Sequence, residues 1–360
     1  MTGRRVVITG IGMISARVTE QGAVVSGFDP RAHFRIPKAL KLTDRTTQFA
    51  VSAAAMALEQ AAWPTGEAMN DRLGVIIGVS GSDLQAEDLA RALRSDGAPV
   101  PVNDIPVFAD RILSGLNPLW LLVNLPNMPS AHVAIQLGAR GPNSTVMTDW
   151  VAGSQAIGEA ADWIRAGEAD AVLAGGADCA LTPFALAAYE QAGLLPRTPT
   201  GRRVLVPSEG AAVLLLEERE QALGRGATVL GEITGYASAS SPVGAERSAL
   251  ERTMAASMRE AQWQPSDIAA VALASAEGTP LRAREVAALE RALGARASSI
   301  AVADFQARVG HAAAALGPLS LCLLLGTASG PGGLLANTAG YSGQAVSLAV
   351  LPGAGSGAAS

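Results

Sequence analysis

Few residues in this chain can do covalent chemistry, and they are scattered. Three histidines (His33, His132, His311) and two cysteines (Cys179, Cys322) are spread over 360 residues. A Ser-His-Asp hydrolase needs a nucleophile elbow such as GxSxG, and the nearest stretch, GVSG at 78–81, lacks that spacing. No CxxC or Cys/His pattern of a metal site occurs, so no metal is expected. The stretch best placed for a nucleophile is STVMTDWVAGSQAIG at 144–158. A strand over 145–147 runs into Thr148 and Asp149, and a helix of small residues follows. A helix N-terminus favours negative charge and activates thiolates. Yet its first turn carries Trp150, whose indole is a donor only. Asp149 has the residue type of an N-cap, and its carboxylate would oppose a thiolate beside it. His311 lies in an apolar run, the setting of a satisfied buried imidazole. His33 and His132 have no partners in a recognisable pattern.

The elements around these residues follow from hydrophobic pattern. Strands are predicted at 6–9, 73–78, 169–174, 211–217, 229–237, 268–273, 300–303 and 345–351. Helices are predicted at 47–62, 83–94, 251–261, 283–293 and 311–325, the last almost wholly Ala, Leu and Gly. Gly10 and Gly12 read as a tight turn. This GxG lacks the third glycine and the acidic residue of a dinucleotide site, which removes that function. Strands alternating with helices imply sheets covered on both faces. Helices without a polar stripe belong between two sheets. The strands at 6 and 268 open similar series. The expected organisation is therefore two related halves, 1–225 and 226–352, with GAGSGAAS at the end as a disordered tail over 353–360.

Bulk composition narrows the function. Net charge is −5, without a long basic run, so no nucleic acid is expected as partner. Apolar residues make up 49% and charged residues 16%, which implies a dense interior or an obligate partner. The two cysteines sit in apolar surroundings and read as buried thiols in a reducing compartment. The opening MTGRRVVITGIG has too short an apolar run for a signal peptide. The stretch 319–325 is too short to span a bilayer. A cytoplasmic chain without membrane contact is expected.

Seven ordered segments resemble the β-ketoacyl-acyl carrier protein synthases. They are VVITGIG at 6–12, NMPSAHVAIQLGARGPNS at 127–144, ADAVLAGGADCALTP at 169–183, SEGAAVLLLEE at 208–218, EGTPLRAREVAALERALG at 277–294, VGHAAAALG at 309–317 and AGYSG at 339–343. The resemblance implies the thiolase-like α/β fold: two related halves, each with a mixed sheet, and buried helices between the sheets, in five layers α-β-α-β-α. Active members carry a cysteine, two histidines and a lysine. By alignment the cysteine position is Trp150, the first histidine Ser275 and the lysine Gln306, while the second histidine survives as His311. The glycine-rich loop near the end survives as Gly340, Tyr341 and Gly343. Claisen condensation needs a thiolate to hold the chain and two donors to stabilise the enolate. Trp150 supplies no thiolate and Ser275 is too short to replace an imidazole reaching into the same space, so no catalytic residue is assigned, and no cofactor.

Within that family the sequence is most similar to the chain length factor, or ketosynthase β subunit, of type II polyketide synthases. That resemblance implies a heterodimer with an active ketosynthase α and contact with acyl carrier protein through the complex. It departs from the usual glutamine at position 150, and the segment between Gly12 and Gln48 is shorter than in the family. The resemblance places the dimer interface in residues 116–142. It also assigns Trp120, with Leu119, Leu121, Phe108 and Met128, to the tunnel or interface, beside residues 84–103. Two other readings stay open. One is an acyltransferase or decarboxylase of altered chemistry using Ser275, Ser154 or His311. The other is a homodimeric scaffold for acyl carrier proteins.

Overall fold

A computed structural model of the chain describes residues 3–19, 22–64, 70–81, 86–94, 103–195, 204–242, 248–328 and 330–353. Among the described residues ten strands join in one sheet. The first five in space are β3 (Asn143–Val146), β2 (Leu73–Gly78), β4 (Ala171–Cys179), β5 (Glu209–Glu218) and β1 (Val6–Ser15). Then come β6 (Gly231–Ser240), β10 (Gln344–Pro352), β9 (Gly333–Ala339), β7 (Ile268–Ala272) and β8 (Ala301–Ala303). From the centre outward each half repeats one pattern. β1–β5 and β5–β4 are antiparallel and β4–β2–β3 parallel. β6–β10 and β10–β9 are antiparallel and β9–β7–β8 parallel. The halves meet where Val6, Val7 and Ile8 pair with Ile233, Glu232 and Gly231.

The helices form three layers around these half-sheets. α1 (Arg45–Gln60) and α5 (Met128–Leu137) cover the first half, with Phe49, Val133 and Val213 in one apolar cluster. α9 (Ala249–Ala261) and α10 (Pro280–Leu293) cover the second, with Met254, Leu289 and Leu335 in another. α6 (Ala152–Ala166) and α12 (Leu316–Thr327) lie between, touching strands of both halves. Their cluster joins Ile157 and Leu319 to Leu214 in β5 and to Val346 and Leu348 in β10. The remaining helices are α2 (Ala86–Ala92), α3 (Ile105–Gly115), α4 (Trp120–Asn124), α7 (Pro183–Gln191), α8 (Arg219–Gly224) and α11 (Gln306–Val309). This is the five-layer arrangement expected of the thiolase-like fold.

Several local expectations need correction. β1 continues as strand through Gly10 and Gly12, with a register shift between Ile8 and Gly10 but no turn. A Cβ at either glycine would collide with a carbonyl oxygen of α1, at Ala57 and Ala53, so they permit close helix–sheet approach. The apolar helix starts at Leu316, not at 311. His311 instead bridges to Pro207, and a 3₁₀ turn over Ala313–Ala315 follows. The helix expected over 83–94 is α2. Residues 83–85, 95–102 and 354–360 lie outside the described residues. β9 is a fully buried strand that pattern reading missed. Its polar Asn337 accepts from Ser347 Oγ at 2.8 Å, and Thr338 shares a 2.7 Å hydrogen bond with Ser154.

The Gly12→Ala substitution should cost roughly 2–3 kcal/mol, because neither β1 nor the α1 backbone can yield without moving the sheet. Urea unfolding measures it; a change below about 0.5 kcal/mol would place Gly12 back in an ordinary turn.

Candidate functional site

β3 delivers the chain to Thr148, whose hydroxyl donates to Gln155 Oε1 at 2.8 Å. A 3₁₀ turn over Asp149–Val151 leads into α6. Asp149 is not the N-cap: Thr148 holds that position, without a side-chain cap bond. Asp149 adopts φ 59°, a left-handed conformation that costs a non-glycine residue about 1–2 kcal/mol. Burial raises the pKa of its carboxyl above the ordinary carboxylate value, against the lowering pull of the Trp150 N–H.

Trp150 is 3% exposed. Its ring centroid lies 4.0 Å from the His311 imidazole, 5.1 Å from the Tyr341 ring and 6.1 Å from Tyr189, the two tyrosines edge-on. Its Nε1–H donates to the Tyr189 hydroxyl at 3.3 Å. Ala180, Leu205 and Ala313 close the cluster. Ala313 also adopts positive φ, at 43°. Tyr341 reaches Trp150 from a tight loop, in which the Gly343 N–H bonds Gly340 O at 3.2 Å with Gly343 at φ 90°.

Ser275, Gln306 and His311 lie in a hydrogen-bond network with Glu285, Arg282 and Asp304. Gln306 Nε2 donates to Ala274 O at 2.8 Å, so its Oε1 is left as acceptor for His311 Nδ1 at 3.2 Å. That fixes the proton on Nδ1 and leaves Nε2 a lone-pair acceptor, buried and without a partner among the described residues. The Ser275 hydroxyl donates to Glu285 rather than toward Trp150. Glu285 also accepts from the backbone N–H groups of Ala274 at 2.7 Å and Ser275 at 3.0 Å. Arg282 joins the Ser275 carbonyl to Asp304, and Asp304 accepts from Gln306 N at 3.0 Å. Asp178 accepts from the N–H groups of Ser80, Cys179 and Ala314 at 3.0–3.2 Å.

The structure thus brings Trp150, His311, Gln306 and Tyr341 together, with Ser275 one residue from the carbonyl that Gln306 holds. Arg282 bridges Ser275 to Asp304. Tyr189, Glu285, Asp304 and Asp178 complete the site, and sequence reasoning missed them. Their residue types are common on helices and loops, and no spacing marked them. Phe108, Leu119, Trp120, Leu121 and Met128 stand elsewhere, on the α3–α5 segment. Leu119 and Leu121 are exposed there, and the shielded Trp120 Nε1 has no partner among the described residues.

No nucleophile among the described residues is free at the site. The Cys179 thiol donates to Glu209 Oε2 at 3.2 Å, and burial pushes the Cys322 thiol up to about 12. Ser154 is bonded to Thr338 beneath α12. Among the described residues no group of three or more His, Cys, Asp or Glu is placed to hold a metal ion.

The sequence pattern of the beta-ketoacyl synthase N-terminal domain matches residues 12–222, and that of the C-terminal domain matches residues 230–327. The chain belongs to the beta-ketoacyl synthase family. It is 31% identical to the 3-oxoacyl-(acyl-carrier-protein) synthase 2 of Synechocystis sp. over 327 residues, 84% of this chain and 74% of that protein. The enzyme of the same name from Staphylococcus aureus is 29% identical over 336 residues, covering 86% of this chain and 78% of the relative. Among solved structures, the ishigamide ketosynthase/chain length factor superposes with TM-score 0.79 at 23% identity, over 98% of this chain and all of that one. A beta-ketoacyl synthase from Burkholderia phymatum gives TM-score 0.80 at 22% identity, over 97% of this chain and 99% of that one. These likenesses fit the fold described above. Among the described residues no helix is long and apolar enough to cross a membrane.

Burial lowers the His311 imidazole from its ordinary 6.5 to about 3. Below pH 6.5 the unfolded chain takes up a proton that the native chain refuses, so His311 withdraws stability as pH falls. Asp178, pushed up to about 6 by burial, acts oppositely and withdraws stability as pH rises from 3.8 toward 6. The His311→Phe variant should therefore gain on wild type by up to ~2 kcal/mol between about pH 7.5 and about pH 5. Urea midpoints at the two pH values measure this, and a pH-independent difference would show that the native imidazole protonates freely.

Proposed function

We propose that this chain is a non-catalytic ketosynthase-like subunit, a chain length factor, which pairs with an active ketosynthase and shapes the tunnel that limits polyketide length. The observation that carries the reading is the indole at position 150, packed on His311 where condensation needs an open thiolate. His311 presents an acceptor where an enolate needs donors. Ser275 and Gln306 are tied to Glu285 and Ala274, so neither is available to a substrate.

A partner is favoured by the surface. Ile105, Leu113, Leu119, Leu121, Ile135 and Met147 are all exposed, with Leu113 at 79% and Leu121 at 60%. Exposed apolar side chains gathered along one segment mark an interaction surface. β3 ends the sheet, leaving a free edge able to pair with another chain. A neighbouring fold, the ishigamide ketosynthase/chain length factor, carries both roles in its name. The sequence relatives are named as synthases. An acyltransferase through Ser275 has one supporting observation, the Ser275–Glu285 pair, but both residues are sealed from solvent, Ser275 at 1% exposure.

The purified chain should take no stable label from radiolabelled malonyl or acyl carrier protein, and co-expression with a ketosynthase bearing its active cysteine should yield a heterodimer on size exclusion. Covalent labelling of this chain alone would overturn the reading; a persistent homodimer would favour the scaffold. Trp150→Cys should not restore condensation, because Ser275 and Gln306 still lack the needed groups. In a reconstituted pair, Trp120→Ala should lengthen the product by at least one extension unit, read by mass spectrometry; an unchanged profile removes Trp120 from the tunnel.

A further inference from the structure

The loop that carries Tyr341 also walls a second cavity, of about 420 Å³, whose lining includes none of Trp150, Ser275 or His311. That volume is within the range of about 300–1,000 Å³ typical of small-molecule sites. The start of α9 and one face of α10 form its sides, and the ends of β9 and β10 its back. Leu250, Leu281, Ala339 and Ala345 make an apolar floor, all buried. Two arginines stand at the lining. Arg291 is committed to Glu251, at 2.7 Å. Arg284 has neither ion pair nor hydrogen bond among the described residues, though its charge acts on the Tyr341 phenol, and the chain carries a net charge of −5. Glu285, also in the lining, is turned away to Ala274 and Ser275. Gln344 brings a solvent-shielded Oε1 without a partner among the described residues. A side-chain amide can turn to offer N–H donors from the same place.

This combination discriminates among ligands. A phosphate or polyanion calls for several cations, and the described residues of the lining offer one uncommitted. A sugar calls for many donors and acceptors, and the floor is apolar. A single carboxylate matches one guanidinium fork, and an alkyl chain matches the floor. We propose that this cavity binds a medium-chain carboxylate, its head on Arg284 with Gln344 beside it and its chain over Leu250 and Leu281. The inference does not depend on the chain length factor reading, since a folded chain with this cavity suffices for it.

Calorimetric titration of the full chain with decanoate, below its micellar concentration, tests it. Saturable one-to-one binding is expected. Arg284→Ala should weaken decanoate at least about tenfold while leaving decanol unchanged. Ala287→Trp, which fills the cavity from α10, should abolish both. Should Ala287→Trp fail to fold, Arg284→Ala decides alone, since that position is exposed. The proposal fails if decanoate gives no saturable binding, or if Arg284→Ala binds decanoate as tightly as wild type.

Discussion

Three stretches of backbone meet at one point: Gly153 at the start of α6, Gly176 in β4 and the carbonyl of Ala314. A Cβ on either glycine would strike that oxygen. The contact draws the head of α6 down onto the sheet and fixes the turn before it, so residue 150 faces inward whatever its type. Asp178, two residues after Gly176, bonds the Ala314 N–H at 3.2 Å and locks the same approach. Asp149 and Ala313, on the segments that meet here, both adopt positive φ. Such strain, about 1–3 kcal/mol per residue, persists when the surroundings over-determine it, and it gathers at functional sites.

What fills that corner is a set of side chains packed on and bonded to one another. An active condensing site keeps polar groups aimed at empty space, awaiting substrate. Here the polar groups have found each other: Ser275 with Glu285, Arg282 with Asp304, Gln306 with Ala274 and His311. His311 Nε2 and Arg282 Nε are left over among them, and a neutral imidazole tolerates that in a pocket where burial already suppresses its cation.

The halves of the sheet were legible in the sequence because a fully buried strand is an unbroken apolar run, as in LGVIIG at 73–78. β9 was not, since Asn337 and Thr338 interrupt it, and their partners Ser347 and Ser154 are close in space only. Gly10 and Gly12 misled for a related reason. A glycine that admits a helix backbone looks the same in sequence as one that turns the chain. At the site, Trp150, Gln306 and His311 were legible as aligned positions. Tyr189 and Glu285 were not, because a partner chosen by geometry leaves no spacing. The unpaired state of Arg284 is likewise a property of the fold.

The indole also alters the energetics of the corner. Edge-on aromatic contacts contribute about 0.5–1.5 kcal/mol each beyond the area they bury. Trp150 makes such contacts with Tyr189 and Tyr341, besides packing on His311. Their sum is of the same order as the strain at Asp149 and Ala313. Proteins commonly give up stability to hold a reactive site open. Filling this corner with an aromatic cluster offsets the backbone strain around it. A residue that stabilises by occupying a space cannot also leave that space open, so under the non-catalytic reading proposed above the gain in packing and the loss of condensation arise from the same atoms.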